Sequence, residues 1–281
     1  MNTVDLFYRR LGKEGATPVV ILHGLFGTSD NWGTVGRELA EPTTPGTEPL
    51  DVFLVDLRDH GRSPHTDAIS YPTMAADVHA LIVKLGLRDV VLVGHSMGGK
   101  TAMAFAQRWP EALKKLVVID IGPAEHQNNQ AHIVEALRTT DLSPGRTRKE
   151  VEAHISTLVK EPGVVQFLMK NLYWQTEEQL AWRVNVPLLD RELQSVLAAI
   201  GPEKVMVPTV FIRGGQSGYI LREDIPAIQE QFPNSRIETV PYAGHWVHAD
   251  QPQAGAAVRK DAHDAGPPAD LQIEPFQRIG R

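Results

Sequence analysis

The sequence predicts an α/β protein with a mostly parallel central sheet flanked by helices and interrupted late by a helical insertion. Three observations predict it. Five short apolar, β-branched runs (Pro18–Leu22, 52–55, 90–93, 116–119 and 209–212) do not alternate polar with apolar residues. Strands covered on both faces, as in a parallel sheet, read in this way. Helical patterns separate the runs, which is the rhythm of a doubly wound fold. The stretch 123–205 then breaks that rhythm with helical patterns and no convincing strand.

Each element follows from local residues. The run Pro18–Leu22 enters the turn His23-Gly24-Leu25-Phe26-Gly27, and 41–49, with three prolines and a glycine, reads as a polar loop. The run 52–55 enters Asp56-Leu57-Arg58-Asp59-His60-Gly61-Arg62-Ser63. Between 71 and 85, Met74, Val78, Leu81, Ile82 and Leu85 recur at helical spacing. A second helix over 97–109 stops at Pro110. Within the insertion, helical patterns cover 132–137, 149–159, 164–172, 177–185 and 188–200. A last strand over 236–240 precedes a loop carrying His245. After Asp250 the chain mixes alanine, charge and Gly266-Pro267-Pro268, and is expected to form a short helix and a poorly ordered end. These boundaries place a core in 1–122 and 206–281 and a lid in 123–205.

Composition excludes several functions. The 281 residues contain no cysteine, so disulfides, thiol catalysis and thiolate zinc sites are ruled out. A net charge of −6 argues against a nucleic-acid footprint. The N-terminus lacks the apolar core of a signal peptide. No apolar stretch approaches the roughly 18 residues of a membrane span. A cytoplasmic protein is expected.

Gly94-His95-Ser96-Met97-Gly98 is the most informative segment, because an apolar strand runs into Gly-x-Ser-x-Gly and a helical pattern follows. In a nucleophile elbow the serine sits at a strained strand-to-helix turn, and the flanking glycines avoid clashes that side chains would make. The hydroxyl of Ser96 is thereby exposed, and the Met97 amide at the helix start can face a developing oxyanion. In the turn after the first run, the Leu25 amide is the expected second donor, with Phe26 the fallback and His23 a brace.

Enzymes with this elbow order their triad as serine, acid, histidine along the chain. His245, in Ala243-Gly244-His245-Trp246, fits the base, and His248 is its rival, expected to pack instead. The acid is less direct. The loop after 209–212 reads Arg213-Gly214-Gly215-Gln216-Ser217-Gly218-Tyr219, without a carboxylate. Asp120 ends the strand next to that of Ser96 and could reach the second imidazole nitrogen, fixing its tautomer. Asp190 and Asp224 are weaker rivals.

Taken in order, these motifs, with Gly94-His95-Ser96-Met97-Gly98-Gly99-Lys100, Asp120-Ile121-Gly122-Pro123 and Gly244-His245-Trp246-Val247-His248, resemble the YbfF-type bacterial esterases and their eukaryotic abhydrolase relatives over about residues 18–250. The resemblance implies an α/β-hydrolase core, a helical lid and carboxylesterase activity without cofactor or metal. It places the acid at the position of Asp120. A lid acid of the kind assigned in some eukaryotic relatives falls here on Pro187. Two departures stand out. Asp59 replaces a family asparagine, adding a carboxylate near the site, and the tail after Asp250 lacks an apolar C-terminal helix.

The residues thus point to Ser96, His245 and Asp120 acting on small esters of short to medium acyl chains. Phe26, Phe167, Tyr173, Trp174, Trp182 and Trp246 are the candidates for shaping the pocket. Arg183 and Asn185 are polar groups that could face inward, and Lys100 is expected to be solvated or ion-paired. A thioesterase or a C–C bond hydrolase would fit the same triad. A non-catalytic binding protein on this scaffold is the alternative from another class.

Overall fold

The computed structural model describes residues 2–43, 46–126 and 130–250. In chain order the elements are β1 (Tyr8–Gly12), β2 (Pro18–Leu22), α1 (Gly33–Ala40), β3 (Asp51–Val55), α2 (Tyr71–Lys84), β4 (Val90–His95), α3 (Met97–Arg108) and β5 (Leu113–Ile119). There follow α4 (Ala131–Arg138), α5 (Arg148–Leu158), α6 (Pro162–Met169), β6 (Leu172–Trp174), β7 (Leu180–Trp182) and α7 (Val186–Leu197). The chain then returns through β8 (Thr209–Gly214), α8 (Ile225–Gln231), β9 (Ser235–Val240) and α9 (Val247–Asp250).

Seven strands form one sheet in the order β1-β3-β2-β4-β5-β8-β9. Only β1 is antiparallel to its neighbour; all the other pairs are parallel. The five apolar runs are the five central strands. Their residues look uniformly apolar because successive side chains feed two different cores. Val19, Ile21, Val91 and Val93 pack in one layer with Trp32, Val35 and Leu39. Val20, Leu22, Val90 and Leu92 face the opposite layer with α2, α3 and most of the inserted segment. Both faces are covered, so polar alternation is absent.

The edges behave differently. β1 carries Arg9 and Arg10 between Tyr8 and Leu11 and gives no apolar run to read. Its Arg10 forms a two-pronged ion pair with Asp51 at the start of β3, both contacts being 2.8 Å.

Among the described residues, the segment between β5 and β8 contains four helices and, contrary to the expectation of no strand, an antiparallel hairpin of β6 and β7. The helix expected over 177–185 does not form, and the one expected over 164–172 ends at Met169. Three-residue strands are too short to display a two-residue period, and the apolar residues around them mimic helical spacing. The tail beyond Asp250 lies outside the described residues.

Candidate active site

Parallel strands deliver their C-terminal ends to one rim of the sheet, and the loops there are where open α/β sheets hold ligands. Ser96 follows β4, Asp120 follows β5, Gly214 ends β8, His245 comes after β9 and His23 follows β2.

Ser96 has φ 51° and ψ −119°, a left-handed conformation in which a residue with a side chain is strained. The surroundings over-determine it. The Ser96 amide donates to Ile119 O at 3.0 Å, and its carbonyl accepts from the Lys100 amide at 3.0 Å. A Cβ on Gly94 would lie 2.2 Å from Gly98 O, and one on Gly98 would lie 2.5 Å from Leu22 O and His23 O. Those contacts are backbone, which cannot swing aside. The two glycines of the motif are thus demanded by close approach of β2, β4 and α3. The turn starts α3 directly at Met97, whose amide belongs to the open first turn of that helix.

Asp120 is fully buried and also left-handed, with φ 51°. Its two oxygens gather three donors. Gly214 N–H reaches Oδ1 at 2.8 Å, while the Ser217 hydroxyl and His245 Nδ1 (2.8 Å) both reach Oδ2. The acid-free loop after β8 thus supplies hydrogen bonds to the acid instead. A carboxylate only accepts, so His245 carries its proton on Nδ1 and leaves Nε2 with its lone pair. The Tyr219 ring stacks on His245 at 3.8 Å and 20°, and His95 Nε2 donates to the His245 carbonyl at 2.9 Å. Among the described residues, neither Asp190 nor Asp224 takes this place. Asp190 pairs with Arg138, and Asp224 accepts from the Leu221 amide.

The turn after β2 is braced by two buried histidines. Leu57 N–H donates to His23 Nε2 at 3.0 Å, so His23 Nδ1 carries the proton and donates to Gly24 O at 2.8 Å. Gly24 O also accepts from Gly27 N–H at 2.9 Å. That carbonyl shares a peptide plane with the Leu25 amide, so two donors orient the plane and polarise its N–H. His60 accepts from Phe26 N–H at 3.2 Å and donates from Nδ1 to Arg58 O at 3.0 Å. Burial holds His23 below its ordinary pKa and brings His60 down to about 3, so both braces stay neutral. The Phe26 amide, the fallback oxyanion donor, is therefore already taken, and Leu25 is left as the candidate.

Ser96, His245, Leu25 and Met97 line one cavity of about 320 Å³. Phe26, Phe167 and Trp246 also line it, with Phe167 and Trp246 in ring contact at 5.5 Å.

A family model described as alpha/beta hydrolase fold matches residues 17–160. The chain belongs to the α/β-hydrolase family. It is 38% identical over 259 residues to the zebrafish (Danio rerio) protein named sn-1-specific diacylglycerol lipase ABHD11, covering 89% of this chain and 78% of that one. Identity to Esterase YbfF of Escherichia coli is 34% over 257 residues, covering 90% and 95%. A solved structure titled marine microorganism esterase superposes with a TM-score of 0.85 at 37% identity, covering 92% of this chain and 98% of that one.

Within this α/β-hydrolase, three expected pocket residues lie elsewhere. Tyr173, Trp174 and Trp182 sit on the β6–β7 hairpin and do not line the cavity. Trp174 is half exposed, the Arg183 guanidinium covers the Tyr173 ring at 4.4 Å, and Trp182 packs against the main core. Their places at the cavity go to smaller and scattered residues, among them Tyr71, Ile121, Val164, Leu168 and Tyr219. No local pattern marks those; only the packing of the inserted segment over the rim assembles them. His248, the rival base, stacks on Trp32 at 4.1 Å, and burial lowers it to about 4. Asp59 is buried, and its carboxylate is consumed by Thr66 (2.6 and 2.8 Å) and by Asn185 Nδ2 (2.9 Å). It fastens its loop to the start of α7.

Lys100 overturns the expectation of a solvated or ion-paired side chain. It is 1% exposed, and Nζ donates to the carbonyls of Ala124 (2.7 Å), Leu197 (3.2 Å) and Ala198 (2.5 Å). A long stem lets it reach from α3 to both ends of the inserted segment, capping the C-terminus of α7. Burial lowers its pKa from 10.5 to about 8. Between those values the unfolded chain holds the proton more tightly, so this group's contribution to stability rises with pH across that window. The unfolding free energy of wild type relative to Lys100→Met is expected to increase from pH 8 to 10.5. A difference independent of pH in denaturant titrations would contradict the assignment.

Proposed function

We propose that the protein is a serine carboxylesterase acting on small esters of short to medium acyl chains. One observation carries the reading: the strained Ser96 turn and the Asp120-oriented His245 open onto the same largely apolar cavity. Relatives named esterase and lipase support ester hydrolysis as the broader class.

In this reading His245 Nε2 removes the Ser96 proton as the hydroxyl attacks the ester carbonyl. The Leu25 and Met97 amides hold the oxyanion. Asp120 keeps the Nδ1 proton in place and stabilises the imidazolium without itself being protonated. His245 then protonates the departing alcohol, leaving an acyl-enzyme, and activates the water that cleaves it. Residues 123–205 act as the lid over a core formed by 1–122 and 206–281. The mechanism requires no metal or cofactor, and the protein works in the cytoplasm.

Hydrolysis of p-nitrophenyl esters from acetyl to dodecanoyl, with acyl-CoA in parallel and a fluorophosphonate label mapped by mass spectrometry, tests this. The expected result is a maximum in kcat/KM at short or medium chains, weak acyl-CoA turnover, and label on Ser96. A higher kcat/KM for acyl-CoA than for every oxygen ester would replace the reading with a thioesterase. No turnover of any ester or of acyl-CoA by folded protein would overturn the reading and leave a C–C bond hydrolase or a binding role.

A further inference from the structure

The Leu25 amide can stabilise an oxyanion only if the turn around it holds its shape, and that turn contains a strained residue. Phe26 has φ 59°, a conformation unfavourable for any residue with a bulky side chain. It persists only because its surroundings hold it. Its N–H is held by His60, on the core. Its carbonyl is held from the other side: Asn171 Nδ2 donates to Phe26 O at 2.7 Å, across 145 residues of sequence.

Asn171 is placed for this task by its own backbone. It sits in the turn between α6 and β6, where its amide donates to Leu168 O and its carbonyl accepts from Arg183 N–H, both at 2.9 Å. It is 1% exposed, and its Oδ1 is buried without a hydrogen-bond partner among the described residues. A buried amide left half satisfied lowers stability, and an apolar side chain of the same size would avoid that loss. The asparagine is therefore a poor choice for packing and a fitting one for donating to Phe26 O. The other braces of the turn, His23 and His60, belong to the core, whereas Asn171 belongs to the inserted segment.

We infer that Asn171 is a positioning residue for the oxyanion site, through which the inserted segment sets the geometry of the Leu25 amide. The inference rests on the reading of Ser96 as nucleophile and Leu25 as oxyanion donor. When the segment is seated, Asn171 closes the hydrogen bonding of Phe26. When the segment lifts, the carbonyl loses its donor and the strained turn can relax. The transition state is thereby favoured only with the segment in place.

Asn171→Leu and Asn171→Asp test it, because both preserve size and neither offers an N–H to Phe26 O; the carboxylate would also repel it. In each folded variant kcat should fall on the order of 10- to 100-fold, as expected for a misaligned oxyanion donor. KM should stay within about 2-fold, because ground-state binding does not use the oxyanion contact. Affinity for an alkyl trifluoromethyl ketone, which forms a tetrahedral oxyanion on the serine, should fall in parallel with kcat. A structural role alone would move the melting temperature and KM but not this parallel. Unchanged kcat in a folded variant overturns the inference, as does a rise in KM at constant kcat. If neither variant folds, Asn171 is a folding determinant and the inference also falls. A fully active Ser96→Ala would instead sink the underlying mechanism, so the two failures are distinguishable.

Discussion

Ser96→Ala is expected to lower kcat for p-nitrophenyl ester hydrolysis by about 10⁵- to 10⁶-fold with the fold intact. That loss corresponds to roughly 7–8 kcal/mol of transition-state stabilisation. The size follows from the loss of the covalent route, since no cysteine exists to substitute for the hydroxyl. The residual rate should reflect the Leu25 and Met97 amides and binding alone. Removing one hydroxyl leaves the Ser96 backbone contacts to Ile119 and Lys100 in place. Alanine at φ 51° is strained no more than serine, so the melting temperature should move by only a few degrees. Steady-state kinetics together with thermal unfolding decide the matter. A variant retaining more than about a hundredth of the wild-type kcat would exclude Ser96 as the nucleophile.

Asp120→Asn is expected to reduce kcat by about 10⁴-fold, while Asp224→Asn stays near wild type. Three donors converge on the two carboxylate oxygens of Asp120. Asparagine offers one accepting oxygen and an NH₂ group. If the oxygen faces Gly214, the NH₂ confronts His245 Nδ1. The imidazole must then accept there and carry its proton on Nε2, where a base needs a lone pair. If instead the amide is reversed, its NH₂ meets the Gly214 N–H, and stability falls. Asp224 has no such partners; it accepts from the Leu221 amide at the surface end of the β8–α8 connection. Comparing kcat and unfolding midpoints of the two variants separates catalysis from folding. A near-silent Asp120→Asn would contradict the assignment of the acid.

The legibility of this protein in its sequence was uneven for physical reasons. Central strands announce themselves because both faces are buried, which forces uninterrupted Val, Ile and Leu. The strained Ser96 turn announces itself because Gly94 and Gly98 admit no Cβ. Asp120 was visible as a carboxylate ending a strand beside that of Ser96. β1 is hidden by its two arginines, and the β6–β7 hairpin by strands too short to show a period. The chemistry of Tyr173, Trp174 and Trp182 suits a cavity wall, but their hairpin sits away from it: Trp174 is half exposed, Tyr173 lies under Arg183 and Trp182 packs on the core. Lys100 looked like a surface lysine because sequence shows a charge and not the carbonyls waiting at both ends of a distant segment.

The sequence by itself therefore determined what short-range sterics and chemistry control: the parallel sheet, the strained serine turn, a chain without thiols, and a histidine and a carboxylate near strand ends. Tertiary structure decided what depends on contacts between residues far apart. It made the loop after β8 a donor to Asp120 in place of an acid, buried Lys100, chose the lining of the cavity, and joined Asn171 to Phe26. Hydrogen-bond partners about a hundred or more residues apart leave no local period or spacing; the pairing of β5 with β8 brings Gly214 to Asp120, and the packing of the inserted segment over the sheet brings Asn171 to Phe26, each within 3 Å.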